Sequence, residues 1–242
     1  MTRFIFYVLT LLLSVSCNVI TKLDKSVCEE KHLFILSGQS NMARLNEKES
    51  FEPILKQKLG NESVSVVKYA MGSQSIRRWY RNWKPAQGDL PKADPCLYDS
   101  LMLKVYPEVE KENFATVSFI WMQGERDARE KHGGVYEESL LGLYNQLCQD
   151  LDRKDVNFII GRLSDFDMLN EKYIHWTMIR DIQVKVAESN PRFDWINTDD
   201  LNDGVNRRGK EIKNDLHMSA EGYIKMGERF AQKSIKLIES TK

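Results

Sequence analysis

The chain has 242 residues, of which 42% are hydrophobic and 29% charged. That is enough for one α/β domain with a sizeable core. Lys+Arg and Asp+Glu both number 35, so the formal net charge is zero, and no global field draws the chain to nucleic acid or to an anionic membrane surface. The sequence shows no low-complexity tract and no internal repeat of about 20 to 50 residues.

At the N-terminus, Arg3 precedes the apolar run Phe4 to Leu13, and Ser14-Val15-Ser16-Cys17 follows. This reads as an export signal whose apolar stretch is too short to span a bilayer comfortably. Leu13 to Cys17 also resembles a bacterial lipobox. The resemblance implies cleavage before Cys17, lipid on that residue, and a membrane-anchored exported protein in the periplasm or at the cell surface. Plain signal-peptidase cleavage nearby is the alternative. Residues 1–17 are thus expected to be the signal, 18–30 a polar tether, and 31–242 the folded domain.

Strands are expected at 32–36, 64–69, 115–122, 156–163 and 193–198 from short β-branched and apolar runs. Helices are expected at 97–110, 135–151, 173–188 and 220–239. Their clearest signature is the stripe Tyr136, Leu140, Leu143, Tyr144, Leu147 and Leu151. Asn190-Pro191 stops the third helix, and Ser219 can cap the fourth. Strands alternating with helices imply a three-layer α/β sandwich around a parallel sheet of about five strands. Two long loops, Ser73 to Pro95 and Thr198 to Asn214, interrupt the alternation, and such loops are often functional. Of the four cysteines, Cys17 belongs to the signal reading, Cys148 lies on the apolar face of a helix as a buried thiol, and Cys28 and Cys96 are free to pair or not.

Three segments carry the chemistry. Gly38-Gln39-Ser40-Asn41-Met42 follows the first strand, where an α/β sheet exposes a turn serine beside backbone N–H donors. Met42 stands where Gly-x-Ser-x-Gly needs its second glycine, so the nucleophile elbow of the α/β-hydrolases is not indicated. Trp121-Met122-Gln123-Gly124-Glu125-Arg126-Asp127 closes the third strand. Asp215-Leu216-His217 precedes the last helix. In this order the segments resemble the SGNH hydrolase superfamily, and most closely its carbohydrate acetylesterases of the sialate O-acetylesterase and acetylxylan esterase (carbohydrate esterase family 6) kind. Ala70 to Ile76 with Trp79 resembles a further block of that family, with Ser73 where a second glycine is common.

Ser40 is the expected nucleophile and needs a base. Of the four histidines, His32 opens a strand at the wrong edge, His132 sits in a loop beside two glycines, and His175 lies in an amphipathic helix. His217, in a loop on the active side, is the candidate base. The superfamily usually carries its acid three residues before the histidine, where this chain has Asn214. Asp215, Glu125 of the Gln-Gly-Glu block, or a backbone carbonyl are the three candidates for orienting His217. The Ser40 and Gly72 N–H groups, both after strands, are expected oxyanion donors, and the resemblance adds the Gln123 amide. Arg77, Trp79 and Trp83, in a basic aromatic stretch, are expected to bind sugar, with packing of Trp79 under its loop as the alternative. No metal motif, phosphate loop or dinucleotide fingerprint is present, so no metal and no cofactor is expected.

The expectation is an exported serine esterase that removes O-acetyl groups from carbohydrates, either acetylated polysaccharide or sialic acid. A less specific lipase or arylesterase, and a non-catalytic carbohydrate-binding surface lipoprotein, are the alternatives.

Overall fold

The computed structural model describes residues 30–240; the export signal, almost all of the tether and Cys28 lie outside the described residues. In chain order the elements are β1 (His32–Gly38), α1 (Ser40–Arg44), α2 (Phe51–Leu59), β2 (Val64–Ala70), α3 (Cys96–Lys111), β3 (Thr116–Met122), α4 (Glu125–Arg129), α5 (Gly133–Asp150), β4 (Asn157–Gly161), α6 (Trp176–Ala187), β5 (Phe193–Ile196), β6 (Gly204–Val205), β7 (Glu211–Ile212) and α7 (Ala220–Ser240).

β1 to β5 form one parallel sheet in the order β2-β1-β3-β4-β5. This is the expected three-layer sandwich. The two-residue side-chain period sorts its strands between two cores. Leu33 and Ile35 of β1, Val117, Phe119 and Trp121 of β3, and Phe158 and Ile160 of β4 face a core closed by α3, α5 and α6. Phe34 and Leu36, Ile120 and Met122, and Ile159 face the other, closed by α1, α2 and α7. Both faces are covered, so the central strands read as continuous apolar runs. Each fully buried Leu, Ile or Phe in them contributes about 2 kcal/mol.

The edges of elements depart from expectation for local reasons. β4 stops at Gly161 because the Leu163 N–H donates to Gln183 Oε1 (2.8 Å) instead of to a neighbouring strand. α6 starts at Trp176, not at 173, because the Asp167 carboxylate gathers the N–H groups of Glu171, Lys172 and Tyr173 into a turn. α2 has no counterpart among the expected helices. It is short, it carries Pro53 in its first turn, and it buries only Phe51 and Leu55. Ser219 caps α7 as expected, its Oγ accepting from the Gly222 N–H at 3.0 Å. Cys148 is half-buried, and burial pushes its thiol pKa up. Cys96 is exposed at the start of α3, where Arg78 donates to its sulfur.

The chain enters β2 from β1 on one side of the sheet and places β3 on the other. The C-terminal ends of β1 and β3 therefore border the crevice where the strand order reverses, the place where open α/β sheets bind ligands. Gly38 lets them close on each other. Its φ is +140°, and a Cβ there would lie 2.0 Å from the Met122 carbonyl oxygen. The same carbonyl accepts from the Gln39 N–H at 2.9 Å, so the turn that carries Ser40 is pinned to the end of β3.

Candidate active site

Ser40 is the first residue of α1, and its N–H is therefore one of the donors that a helix start leaves without an intrahelical partner. A small cavity of ≈ 80 Å³ opens over it. Ser40, Glu125 and His217 line it together with Gln39, Ser73, Arg126, Arg129, Tyr173 and Leu216. Three segments far apart in sequence thus converge on one recess. Gly72 stands next to it: a Cβ built on Gly72 would lie 3.6 Å from Ser40 Cβ. Ser73 occupies the left-handed region at φ 63°, a conformation that glycine adopts at no cost.

His217 is half-buried. Burial first, and the charge of Arg44 second, hold its imidazole below the ordinary histidine pKa, while Asp215 pulls it the other way. The Asp215 carboxylate lies 3.7 Å from His217 Nδ1. It is held there because its Oδ1 accepts the His217 backbone N–H at 2.8 Å, an Asx-turn contact that needs a spacing of two residues. Asn214, at the position usual for the acid, has φ 45° and turns its amide to the Phe166 carbonyl (3.2 Å) and to Asn202.

Glu125 starts α4 and is buried. Its Oε1 accepts from Asn41 Nδ2 at 2.9 Å, while its Oε2 is buried without a hydrogen-bond partner among the described residues. Burial pushes this carboxyl up to about 7, and the charge of Asp127 adds to the shift. Asn41 also donates to the Leu216 carbonyl (3.1 Å) and accepts from Tyr223 Oη (2.9 Å). The asparagine after the nucleophile therefore joins the first block to the third and to the histidine loop.

Other expected site residues lie elsewhere. Gln123 is buried and does not line the cavity. Its amide donates to the Gln74 carbonyl (3.0 Å) and to Asp127 Oδ2 (2.5 Å), and its Oε1 accepts from Tyr136 Oη (3.0 Å). It ties loops together, and its donors are already spent. Trp79 takes the packing role, the alternative to sugar binding. It is buried, donates to Ser37 Oγ at 3.0 Å and packs edge-on against Trp121. Trp83 is buried against His132. Neither ring can offer a face to a sugar. Arg77 donates to the Lys92 carbonyl at 3.0 Å, within its own loop and away from the cavity lining. The three other histidines have structural work: His32 pairs with Thr116 Oγ1 (2.8 Å), His132 packs edge-on against Trp83, and His175 Nδ1 accepts the Gly133 N–H (3.0 Å).

Sequence reasoning missed Arg126, Arg129 and Tyr173 as cavity residues. α4 has only five residues, too few for a periodic pattern, although the arginines at a spacing of three on one short helix were a usable signal.

A parallel sheet that gathers a serine, a histidine and a carboxylate at its switch point has the layout of an α/β hydrolase site. A family model described as carbohydrate esterase, sialic acid-specific acetylesterase, matches residues 44–236, and the chain belongs to that family. It is a carboxylic ester hydrolase, and its reaction class is carbohydrate deacetylation. A search against curated proteins finds no match. Among solved structures, a protein of Arabidopsis thaliana is similar in fold at 17% identity, with a TM-score of 0.63 over 86% of this chain and 98% of that one. A carbohydrate acetylesterase of Xanthomonas citri is similar at 16% identity, with a TM-score of 0.56 over 84% of this chain and 55% of that one. A carbohydrate acetylesterase family member of Sinorhizobium meliloti has 12% identity and a TM-score of 0.51, over 86% and 99%.

The two carboxylates predict different pH profiles. The acid limb of kcat/KM reports the base of the free enzyme. With His217 lowered and Asp215 as its partner, the midpoint is expected below pH 6.5, with activity lost as pH falls through it. If an ionised Glu125 were required, the limb would lie near its pKa of about 7. A midpoint at 7 or above in a kcat/KM titration would contradict the first assignment.

Proposed function

We propose that the protein is a serine esterase that removes O-acetyl groups from carbohydrates through an acetyl-serine intermediate. The observation that carries this reading is the convergence of Ser40 and His217 on one recess at the sheet's switch point. Ser40 Oγ attacks the acetyl carbonyl while His217 takes its proton. The Ser40 and Gly72 N–H groups receive the oxyanion, each contributing on the order of 3 kcal/mol to the transition state. The intermediate collapses, His217 returns the proton to the departing sugar oxygen, and the acetyl group stays on Ser40. Water, deprotonated by His217, then attacks the acetyl carbon, and His217 returns the proton to Ser40 Oγ as acetate leaves.

Asp215 is our choice for the orienting acid, supported by its 3.7 Å approach to Nδ1 and by the turn that holds it there. Glu125 at a pKa of about 7 is largely or partly neutral at working pH and accepts from Asn41 instead. Arg126, paired with Glu130 at 2.6 Å, and Arg129 line the cavity and favour substrates that carry a carboxylate, such as sialic or uronic acids.

Ser40→Ala should abolish acetate release from p-nitrophenyl acetate and from acetylated glycans while circular dichroism and Tm stay unchanged. Release at near wild-type rate would end the serine mechanism.

Asp215→Asn should lower kcat by more than about a hundredfold, about 2.7 kcal/mol, with little change in KM. Glu125→Gln should cost less than Asp215→Asn. The reverse order would make Glu125 the partner, and two mild effects would leave a backbone carbonyl in that role.

The same reading includes export and a lipid anchor at Cys17, supported by the signal-like run before it. Wild-type protein should partition into detergent and Cys17→Ser should not; equal partitioning of both with normal cleavage would reject the anchor.

A further inference from the structure

A second, larger cavity of ≈ 390 Å³ is lined by Arg44, Asn206, Arg207, Arg208, Met218 and Tyr223. Two links tie it to the reaction centre. Arg44 follows Ser40 by four residues on α1, so the two share a helix face. Met218 is the residue after His217. The catalytic recess, at ≈ 80 Å³, suits an acetyl group better than a sugar ring, so the sugar must extend out of it. Arg44 and Met218, chain neighbours of Ser40 and His217, line the larger cavity and make it the candidate for that extension.

The walls of this cavity are cationic, although the chain as a whole is neutral. Arg207 is fixed: it makes a two-pronged ion pair with Glu49 (3.0 and 2.6 Å) and lies over the Tyr223 ring. Arg208 and Arg44 have no carboxylate within 4 Å among the described residues. The tip of the β6–β7 hairpin that carries Arg207 and Arg208 is set by Asn206, whose Oδ1 accepts the N–H groups of Arg208 (3.0 Å) and Lys210 (3.1 Å). A preformed loop thus presents the Arg208 guanidinium, with no carboxylate partner among the described residues, to the cavity that Arg44 also lines. Paired guanidinium groups suit planar carboxylates.

We propose that this cavity is an anion subsite, which receives the carboxylate of the sugar next to the acetylated one in a carboxylate-bearing oligosaccharide. The proposal rests on the esterase reading and deepens it: the substrate is a charged chain, and not a neutral xylan. Occupation also has a chemical consequence at the centre. Arg44 is one of the two influences that depress the His217 pKa, so an anion bound against Arg44 weakens that influence and lets the imidazole's pKa rise.

The test compares acetylated trigalacturonate, which is anionic, with acetylated xylotriose, which is neutral, in wild type, Arg208→Gln and Arg44→Gln. The ratio of kcat/KM, anionic over neutral, should fall by about tenfold in each variant, about 1.4 kcal/mol. In wild type the same ratio should fall as NaCl is raised to about 0.5 M, because exposed charge pairs are screened. The acid limb for the anionic substrate's kcat should lie at higher pH than for the neutral one in wild type, and this difference should vanish in Arg44→Gln. An unchanged ratio in both variants overturns the subsite while the esterase reading stands. If wild type releases acetate from no ester, the esterase reading fails. The subsite is then judged by calorimetry with unacetylated trigalacturonate, where equal or absent binding in wild type and Arg208→Gln overturns it.

Discussion

The buried carboxylate of Asp127 sets the geometry on which the catalytic end of the sheet depends. An isolated buried charge costs several kcal/mol, so it persists only where donors surround it. Here Ser75 Oγ donates at 2.7 Å, the Ile76 N–H at 2.9 Å and the Gln123 amide at 2.5 Å. Those donors come from the loop after β2 and from the turn after β3. Asp127 itself sits on α4, beyond that turn. One charge therefore fixes the loop that brings Gly72 and Ser73 to the cavity against the turn that brings Glu125 to it. Hydrogen bonds to a charged acceptor contribute about 1.5 to 3 kcal/mol each, so three of them can offset the burial. Tyr136 and Gln183 extend the network by donating to the Gln123 carbonyl at 2.7 and 2.8 Å, which anchors it to α5 and α6.

That network explains why the Gln-Gly-Glu-x-Asp segment reads as catalytic without all of it touching substrate. Its glutamine and aspartate hold the frame, and its glutamate borders the cavity. From sequence alone, a polar amide at the end of a strand fits an oxyanion donor and a buried tie equally well. What separates them is the number of acceptors already waiting for its two protons, and those acceptors, the Gln74 carbonyl and Asp127, lie 49 and 4 residues away. Likewise Trp79 and Trp83 sit among arginines in a long loop, which looks like a sugar platform. The loop folds inward, however, and the rings fill the core under it because burying an aromatic ring is worth more than exposing it.

The sheet was legible because both its faces are covered. Apolar runs such as Leu33 to Leu36 carry their own strand signal, and the stripe from Tyr136 to Leu151 at helical spacing carries a helix signal that no loop would mimic. Ser40 and His217 were legible for a different reason: each sits just past a strand or just before a capped helix, at the sheet edge where the topology puts chemistry. What escaped was short or folded by side chains. α1 and α4 have five residues each, less than the period needed to show a face, and the β6–β7 hairpin has two-residue strands inside a segment read as loop. The spacing of two between Asp215 and His217 departs from the superfamily pattern in sequence, and becomes intelligible once the carboxylate is seen to hold the histidine's own N–H.

His217 sits between opposing influences. In the proposed mechanism, desolvation and Arg44 favour the neutral imidazole that accepts the serine proton, and Asp215 favours the imidazolium that forms when it does. A base needs both: it must be free of its proton before the reaction and tolerate it during the reaction. Asp215 can serve both ends because it is half exposed, so water moderates its pull before the reaction while it stays 3.7 Å from Nδ1. A fully buried carboxylate at that place would hold its proton more tightly, as burial pushes Glu125 up to about 7, and would offer the imidazolium less charge. Asp215 and Glu125 thus differ in burial: the half-exposed carboxylate lies against the imidazole, while the buried one joins Asn41 in holding the serine turn to the segment after the third strand.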